Sequence, residues 1–317
     1  MKAAVINAFG EFPQYQDFQE PVAGEGEVVV TMEAAGLHPI VRGMAAGSHY
    51  SGKASVPFIA GLDGVGRLED GKRIYCVSAR APFGTMAQRT IASKAALIPL
   101  PDSLEPAQAA AIANPGMSAW LSLTLRAGLQ AGETVLINGA TGVAGQLAVQ
   151  AARYLGAKKI VATGRNADVL TALGADVTVA LTDPDEAVTR ALVDQMQDGG
   201  IDVIVDYLWG KPTELIMAAL AKCFRREGSK RIRLVEVGAV AGNEIRLPAS
   251  LLRSVDLHLS GSGFGSVPLN EIMAAIPNLF TLASQGHLKA QVETLPLSEV
   301  TSAWERVEKG KRVVFSI

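Results

Sequence analysis

Thr134-Val-Leu-Ile-Asn138 is a short apolar run bounded by turn residues, the pattern of a strand buried on both faces of a parallel sheet. It passes through Gly139, Gly142 and Gly145, three glycines at three-residue spacing, into small and aliphatic residues with helical spacing. Downstream, apolar runs at Lys159–Thr163, Val177–Ala180, 201–205, Arg233–Val237 and Leu257–Ser260 predict further strands. Between them, 170–174 closes a helix with a glycine cap and Asp185–Met196 predicts another. Such alternation predicts an α/β fold with a Rossmann-type doubly wound parallel sheet. Residues 1–117 read differently. Short β-rich runs at Lys2–Asn7 and Glu27–Glu33 are punctuated by Gly36, Pro39, Gly43, Gly47, Pro57, Gly61, Gly64, Gly66 and Gly71, which predicts a small irregular antiparallel barrel.

Composition narrows the class. The 317 residues suit about two domains, and 49% hydrophobic against 19% charged residues excludes disorder. The net charge of −2 gives no global attraction to nucleic acid or an anionic membrane. Two cysteines, Cys76 and Cys223, are too few for a disulfide framework or a four-thiolate zinc site. Without a signal-type N-terminus or an apolar run of membrane-spanning length, a cytoplasmic protein without a membrane partner is expected. Lys222, Arg225, Arg226, Lys230, Arg231 and Arg233 cluster, but no aromatic residues interleave them, so a solvated face rather than a nucleic-acid site is expected.

The glycine stretch has the logic of a phosphate cradle. Gly139 allows a tight strand-to-helix turn, Gly142 lets a diphosphate touch backbone, and Gly145 lets the helix pack closely. The N–H groups after Thr141, Gly142, Val143 and Ala144 open a helix and face the anion. No Gly-Lys-Ser/Thr follows, so the stretch is not a nucleotide triphosphate loop. Tyr154 and Lys158 stand four apart, like the catalytic pair of short-chain dehydrogenases, but on the first helix they are surface residues at its end. Cofactor choice is read at the end of the second strand. Gly164-Arg165-Asn166 presents no acid to a ribose, and Arg165 can pair with a 2′-phosphate, which favours NADP(H) over a solvated loop arginine. Tyr207, Gly238, Ala239, Val240 and Gly263 follow later strands, where a cofactor would border the sheet.

Gly26-Glu-Val-Val-Val, Ala35-Gly-Leu-His-Pro39, Val56-Pro57 through Gly61-Leu-Asp63-Gly-Val-Gly66, Gly84-Thr-Met-Ala-Gln and the tail around Gly310-Lys311-Arg312 occur in order. Together they resemble the medium-chain dehydrogenase/reductase superfamily, and within it the zinc-independent quinone oxidoreductase branch. The resemblance implies a GroES-like irregular β-barrel catalytic domain, 1–117 completed by 264–317, and a Rossmann NADP-binding domain, 118–263. Zinc-dependent members carry Cys and His-Glu where His38 and Leu62-Asp63 stand here; leucine cannot ligate zinc, so no metal is expected. By resemblance His38 faces the nicotinamide, or else is a turn histidine before Pro39. Tyr50 either contacts the substrate carbonyl and its proton or forms an aromatic lid. Ser118 matches a residue near the nicotinamide, and Lys311 or Arg312 could reach the cofactor phosphates. A tyrosine that relatives add for the 2′-phosphate is missing around Thr182.

These features imply NADPH-dependent hydride transfer to a quinone or an α,β-unsaturated carbonyl (enone). Alternatives are an enoyl-thioester reductase and a non-catalytic NADPH-binding structural or regulatory protein. An exposed sixth strand suggests a homodimer.

Overall fold

In chain order the elements begin with β1 (Lys2–Ile6), β2 (Gln14–Asp17), β3 (Glu27–Gly36), α1 (Pro39–Ala45), β4 (Phe58–Ile59), β5 (Asp63–Arg67), β6 (Arg73–Val77), β7 (Arg89–Ser93) and β8 (Ile98–Pro99). Then come α2 (Pro106–Leu121), β9 (Thr134–Asn138), α3 (Val143–Tyr154), β10 (Lys159–Gly164), α4 (Ala167–Ala172), β11 (Val177–Ala180), α5 (Asp185–Gln197), β12 (Val203–Asp206) and α6 (Gly210–Lys222). The remainder is β13 (Ile232–Glu236), α7 (Ala249–Ser254), β14 (Leu257–Gly261), α8 (Leu269–Ser284), β15 (Val292–Pro296), α9 (Val300–Ala303) and β16 (Arg312–Ser316). The computed structural model describes residues 1–48, 55–78, 80–197, 200–223, 231–306 and 310–317. The chain divides into one unit of Met1–Asn114 with Met273–Ile317 and a second of Pro115–Ile272.

In the second unit, six parallel strands run in the order β11-β10-β9-β12-β13-β14. The order reverses at β9, the strand that carries the glycine turn, so the doubly wound expectation is met with the turn at the switch point. Every residue of β9 and β12 is buried, which is why both read as continuous apolar runs. Helix α3 lays Val143, Leu147, Ala148, Ala151 and Ala152 on the sheet, and a side chain such as Leu147 contributes roughly 1.5–3 kcal/mol by leaving water. A second layer packs Val188 and Leu192 of α5 with Ile216 and Leu220 of α6.

In the first unit, the order β15-β16-β3-β5-β6-β8 forms one sheet, with β7 also on β3, and β2-β1-β4 forms another. Among the described residues these pairings do not close into a ring, so the sheets stand where a barrel was expected. The ladder of β3 on β5 shifts register between Met32 and Ala34, a bulge that bends the long strand. Helix α1 lies in a stretch that reads as turns. Pro39 opens it without losing a needed N–H, and His38 precedes it in extended conformation. The tail returns as β15 and β16, paired in parallel, with β16 antiparallel to β3.

Candidate functional site: a dinucleotide cradle

The three glycines do three different things. Gly139 sits at φ +90°, and a Cβ there would lie 2.9 Å from Leu208 Cγ. A Cβ on Gly145 would lie 2.4 Å from the Gly139 carbonyl oxygen, so α3 is pressed directly onto the turn. At Gly142, by contrast, a Cβ would meet only the Gly139 oxygen, at 3.7 Å. Gly142 is the exposed N-cap of α3 and contributes no side-chain cap. The first intrahelical bond is made by Gln146 N–H to Gly142 O at 2.9 Å, leaving the N–H groups of Val143, Ala144 and Gly145 ahead of it. Uncapped donors behind an open glycine, at the positive end of a twelve-residue helix, form an anion cradle.

The other residues expected around a dinucleotide follow the carboxyl ends of neighbouring strands. Gly164 ends β10, and a Cβ on it would lie 2.4 Å from Thr141 Cγ2, so the β10 end and the glycine turn meet closely. Arg165 is exposed and has no hydrogen bond or ion pair among the described residues. Asn166 caps α4, its Oδ1 accepting the Val169 N–H at 3.2 Å. Tyr207 follows β12. It is buried, its hydroxyl has no hydrogen-bond partner among the described residues, and burial pushes its phenol above the usual range. Gly238, Ala239 and Val240 follow β13, with Val240 73% exposed, and Gly263 follows β14, its N–H donating to Ser266 Oγ at 2.9 Å. Ser118 lies half-buried in α2, its carbonyl accepting the Ser122 hydroxyl at 2.6 Å.

Beneath the cradle lies a polar network that no motif announces. Asp206, wholly buried at the end of β12, accepts at Oδ1 from Asn138 Nδ2 (2.8 Å), Leu208 N–H (2.9 Å) and Trp209 N–H (3.1 Å). Its Oδ2 accepts from the Thr213 hydroxyl. Asn138 Oδ1 in turn accepts from Thr163 Oγ1 at 2.7 Å, and Thr163 Oγ1 accepts the Gly139 N–H at 3.2 Å. The signal available in the sequence was a polar residue closing an otherwise apolar strand, at Asn138 and again at Asp206.

The first unit holds the remaining expected residues, in a different setting. Tyr50 lies outside the described residues, as do Arg225, Arg226 and Lys230 of the basic cluster. Arg231 and Arg233 pair with Asp256 and Glu133. His38 is 0% exposed, with Nε2 3.6 Å from Asp63 Oδ1. Its burial, and then the charge of Arg312, hold the imidazole well below its usual range against the opposing Ala110 carbonyl. His38 is thus a buried residue immediately before α1, the turn-histidine alternative of the two readings, and its approach to a nicotinamide is an expectation only. Asp63 is 2% exposed and accepts the Tyr75 hydroxyl at 2.9 Å. Burial raises its carboxyl to about 7, against the lowering effects of Tyr75 and Arg312. Arg312 is 2% exposed, and its Nη1 donates to the Leu37 carbonyl at 2.8 Å. An apolar hollow of ≈ 130 Å³ in the same unit is lined by Val41, Met44, Leu62 and Phe83, with Ser78 and Arg80 among its polar residues.

Among the described residues no group of three or more His, Cys, Asp or Glu comes together, and burial pushes the Cys76 thiol up to about 12, far from a thiolate.

A family model described as zinc-binding dehydrogenase matches residues 143–281. Over 99% of its own length and 99% of the relative's, the chain is 27% identical to the probable NADPH-dependent quinone reductase tdiC of Emericella nidulans. It is 28% identical to the quinone oxidoreductase of Thermus thermophilus, whose crystal structures include a complex with NADPH; the match covers 100% of both chains with a TM-score of 0.81. The chain belongs to the medium-chain dehydrogenase/reductase superfamily. Within the superfamily its likeness is to the quinone oxidoreductase branch. The trans-enoyl reductase pgmF of Aspergillus terreus is 29% identical over 69% of this chain and 63% of its own length.

Proposed function

We propose that this protein is an NADPH-dependent oxidoreductase that reduces a quinone or an α,β-unsaturated carbonyl without zinc. The observation that carries the reading is the cradle. Uncapped α3 N–H groups stand behind Gly142, and Arg165 is left exposed and unpaired among the described residues at the end of β10. When bound, the dinucleotide supplies a hydride, and the acceptor takes one further proton to become a hydroquinone or a saturated carbonyl. The N–H groups of Val143, Ala144 and Gly145 hold the diphosphate, and Arg165 pairs with the 2′-phosphate. Tyr207 and 238–240 border the ring, and Ser118 lies near it. Within the first unit an apolar hollow lies beside Leu62, and Tyr50 is read as the proton donor. Such acceptors are already electron-poor, so Leu62 in a ligand position costs the chemistry nothing. The reading includes a cytoplasmic enzyme; among the described residues no helix is long and apolar enough to cross a membrane. It also includes a homodimer through the sheet edge at β14, where Leu252, Leu259, Phe264 and Leu269 are exposed.

The test is NADPH consumption against a quinone, an enone and an enoyl thioester, with NADH in parallel. Turnover with quinone or enone and slower use of NADH supports the proposal. Preference for the thioester moves the protein toward the activity named for the Aspergillus relative, and binding without turnover makes it a regulatory protein.

A further inference from the structure

We infer that Asp206 is a positioning residue for the dinucleotide, holding the glycine turn and the loops after β12 and β13 in one geometry from behind the cradle. This rests on the cofactor reading above. The carboxylate is wholly buried yet takes four donors from three places: the Asn138 side chain on β9, two successive N–H groups of its own exit loop, and Thr213 on α6. Its backbone oxygen accepts from Val237 and Gly238 at 2.8 and 3.3 Å, which ties in the β13 exit loop. That loop is held again by Ala241 N–H on Leu208 O at 2.8 Å. On the other side, Asn138 and Thr163 carry the network to the Gly139 N–H, and Leu208 fills the space a Cβ on Gly139 would take.

Two features separate this from ordinary core packing. Trp209 stands at φ 53°, ψ −160°, a backbone region used almost only by glycine, and among the described residues no other non-glycine has positive φ. Such a conformation persists only where the surroundings over-determine it, and here the Trp209 N–H is one of the groups Asp206 grips. Moreover, a carboxylate behind an anion cradle would repel a diphosphate, so it cannot aid binding by its charge. What it supplies is placement, with its acceptor sites saturated so that the loops have one arrangement.

The experiment is NADPH titration by calorimetry on purified full-length protein, with KM for NADPH and for a quinone and thermal midpoints measured on the same samples. Asp206→Asn keeps the shape and removes an acceptor; Thr213→Val removes one donor; Thr213→Ser restores it. Leu192→Ala opens the core of the same unit away from the cradle. The inference expects NADPH Kd and KM to rise about tenfold in Asp206→Asn and severalfold in Thr213→Val, with quinone KM unchanged. Thr213→Ser should return to the parent value, and Leu192→Ala should lower the thermal midpoint without weakening NADPH. If Asp206→Asn does not fold, the Thr213 pair decides alone. Unaltered NADPH affinity in folded Asp206→Asn or Thr213→Val overturns the inference, as does equal weakening in Leu192→Ala, which would mean general loosening. Absence of NADPH binding by the unsubstituted protein sinks the cofactor reading itself.

Discussion

Each unit buries a carboxylate among polar partners, and the two are handled in opposite ways. In the second unit Asp206 receives four hydrogen bonds from Asn138, Leu208, Trp209 and Thr213. In the first, Asp63 receives the Tyr75 hydroxyl on one oxygen, while its Oδ1 and both His38 ring nitrogens have no partner in hydrogen-bond geometry among the described residues. A saturated network specifies a single arrangement of the loops it ties, whereas an unsaturated one stores its cost in shifted protonation. The first kind suits an edge where a cofactor must find groups already in place. The second makes the unit answer to pH.

The largest test of the contrast is removal of each carboxylate. Asp206→Ala strands Asn138, Thr213 and two backbone donors in the core, and we expect a loss of about 3–5 kcal/mol in urea unfolding, the range for breaking a buried polar pair. Asp63→Asn at pH 7 should be close to neutral, since it replaces a poorly satisfied carboxyl that sits near its own titration point. Equal losses in the two variants would erase the distinction.

The second test is the pH dependence. The Asp63 carboxyl titrates near 7 in the fold and near 4 when unfolded, so between those values the folded chain holds a proton that the unfolded chain has lost. Stability from this group is therefore greatest at low pH and falls as pH rises from about 4 to 7, by roughly 1.4 kcal/mol for each pH step of one across that window. His38 runs the other way. Held neutral in the fold, it favours folding above the ordinary histidine value and opposes it as pH drops below about 6.5. Chemical denaturation of Asp63→Asn across pH 4.5–7.5 should show the variant gaining on its parent by a few kcal/mol as pH rises. A constant difference would mean that Asp63 is ionised throughout.

How far these regions could be read in advance depends on how locally their causes act. The strands β9 and β12 were legible because burial on both faces writes itself as an apolar run, and the glycine turn because backbone approach demands residues without side chains. Helix α1 was not, since seven residues after His38 carry too little periodicity to outweigh Gly43 and Gly47. Neither polar cluster was legible as a cluster. Asn138 and Asp206 are 68 positions apart, and Arg312 meets Leu37 across 275, so only the topology brings them together. Arg312 is instructive. By resemblance it, or Lys311, could reach the cofactor phosphates; in the fold β16 is flanked by β15 and β3, and Arg312 through Phe315 are all buried. The Tyr154–Lys158 spacing belongs to a helix end, where Tyr154 is 49% exposed and packs on Trp120 with centroids 6.2 Å apart.

A smaller effect is expected at Arg165, whose loss removes a charge-assisted pair from the cofactor without touching the network beneath. Arg165→Ala should lower kcat/KM for NADPH about 10- to 100-fold, corresponding to roughly 1.5–3 kcal/mol, while NADH use and thermal stability stay as they were. Equal loss with both cofactors would mean that the guanidinium does not meet the 2′-phosphate.

The smallest effect separates support from contact within the cradle itself. Gly142 has an ordinary extended φ of −75°, and an added Cβ would meet only the Gly139 oxygen at 3.7 Å, so Gly142→Ala should leave the unliganded protein as stable as its parent. A methyl group there nevertheless stands between the α3 N–H groups and a diphosphate, and a severalfold rise in KM for NADPH is expected. Gly145→Ala reverses the pattern. Its Cβ would lie 2.4 Å from the Gly139 oxygen and 2.6 Å from Ala140 Cα, so the helix must move off the turn and the thermal midpoint should fall before any cofactor is added. A Gly142→Ala variant with unaltered NADPH kinetics would place the diphosphate elsewhere on this edge, and Asp206 would then be holding loops for some other ligand.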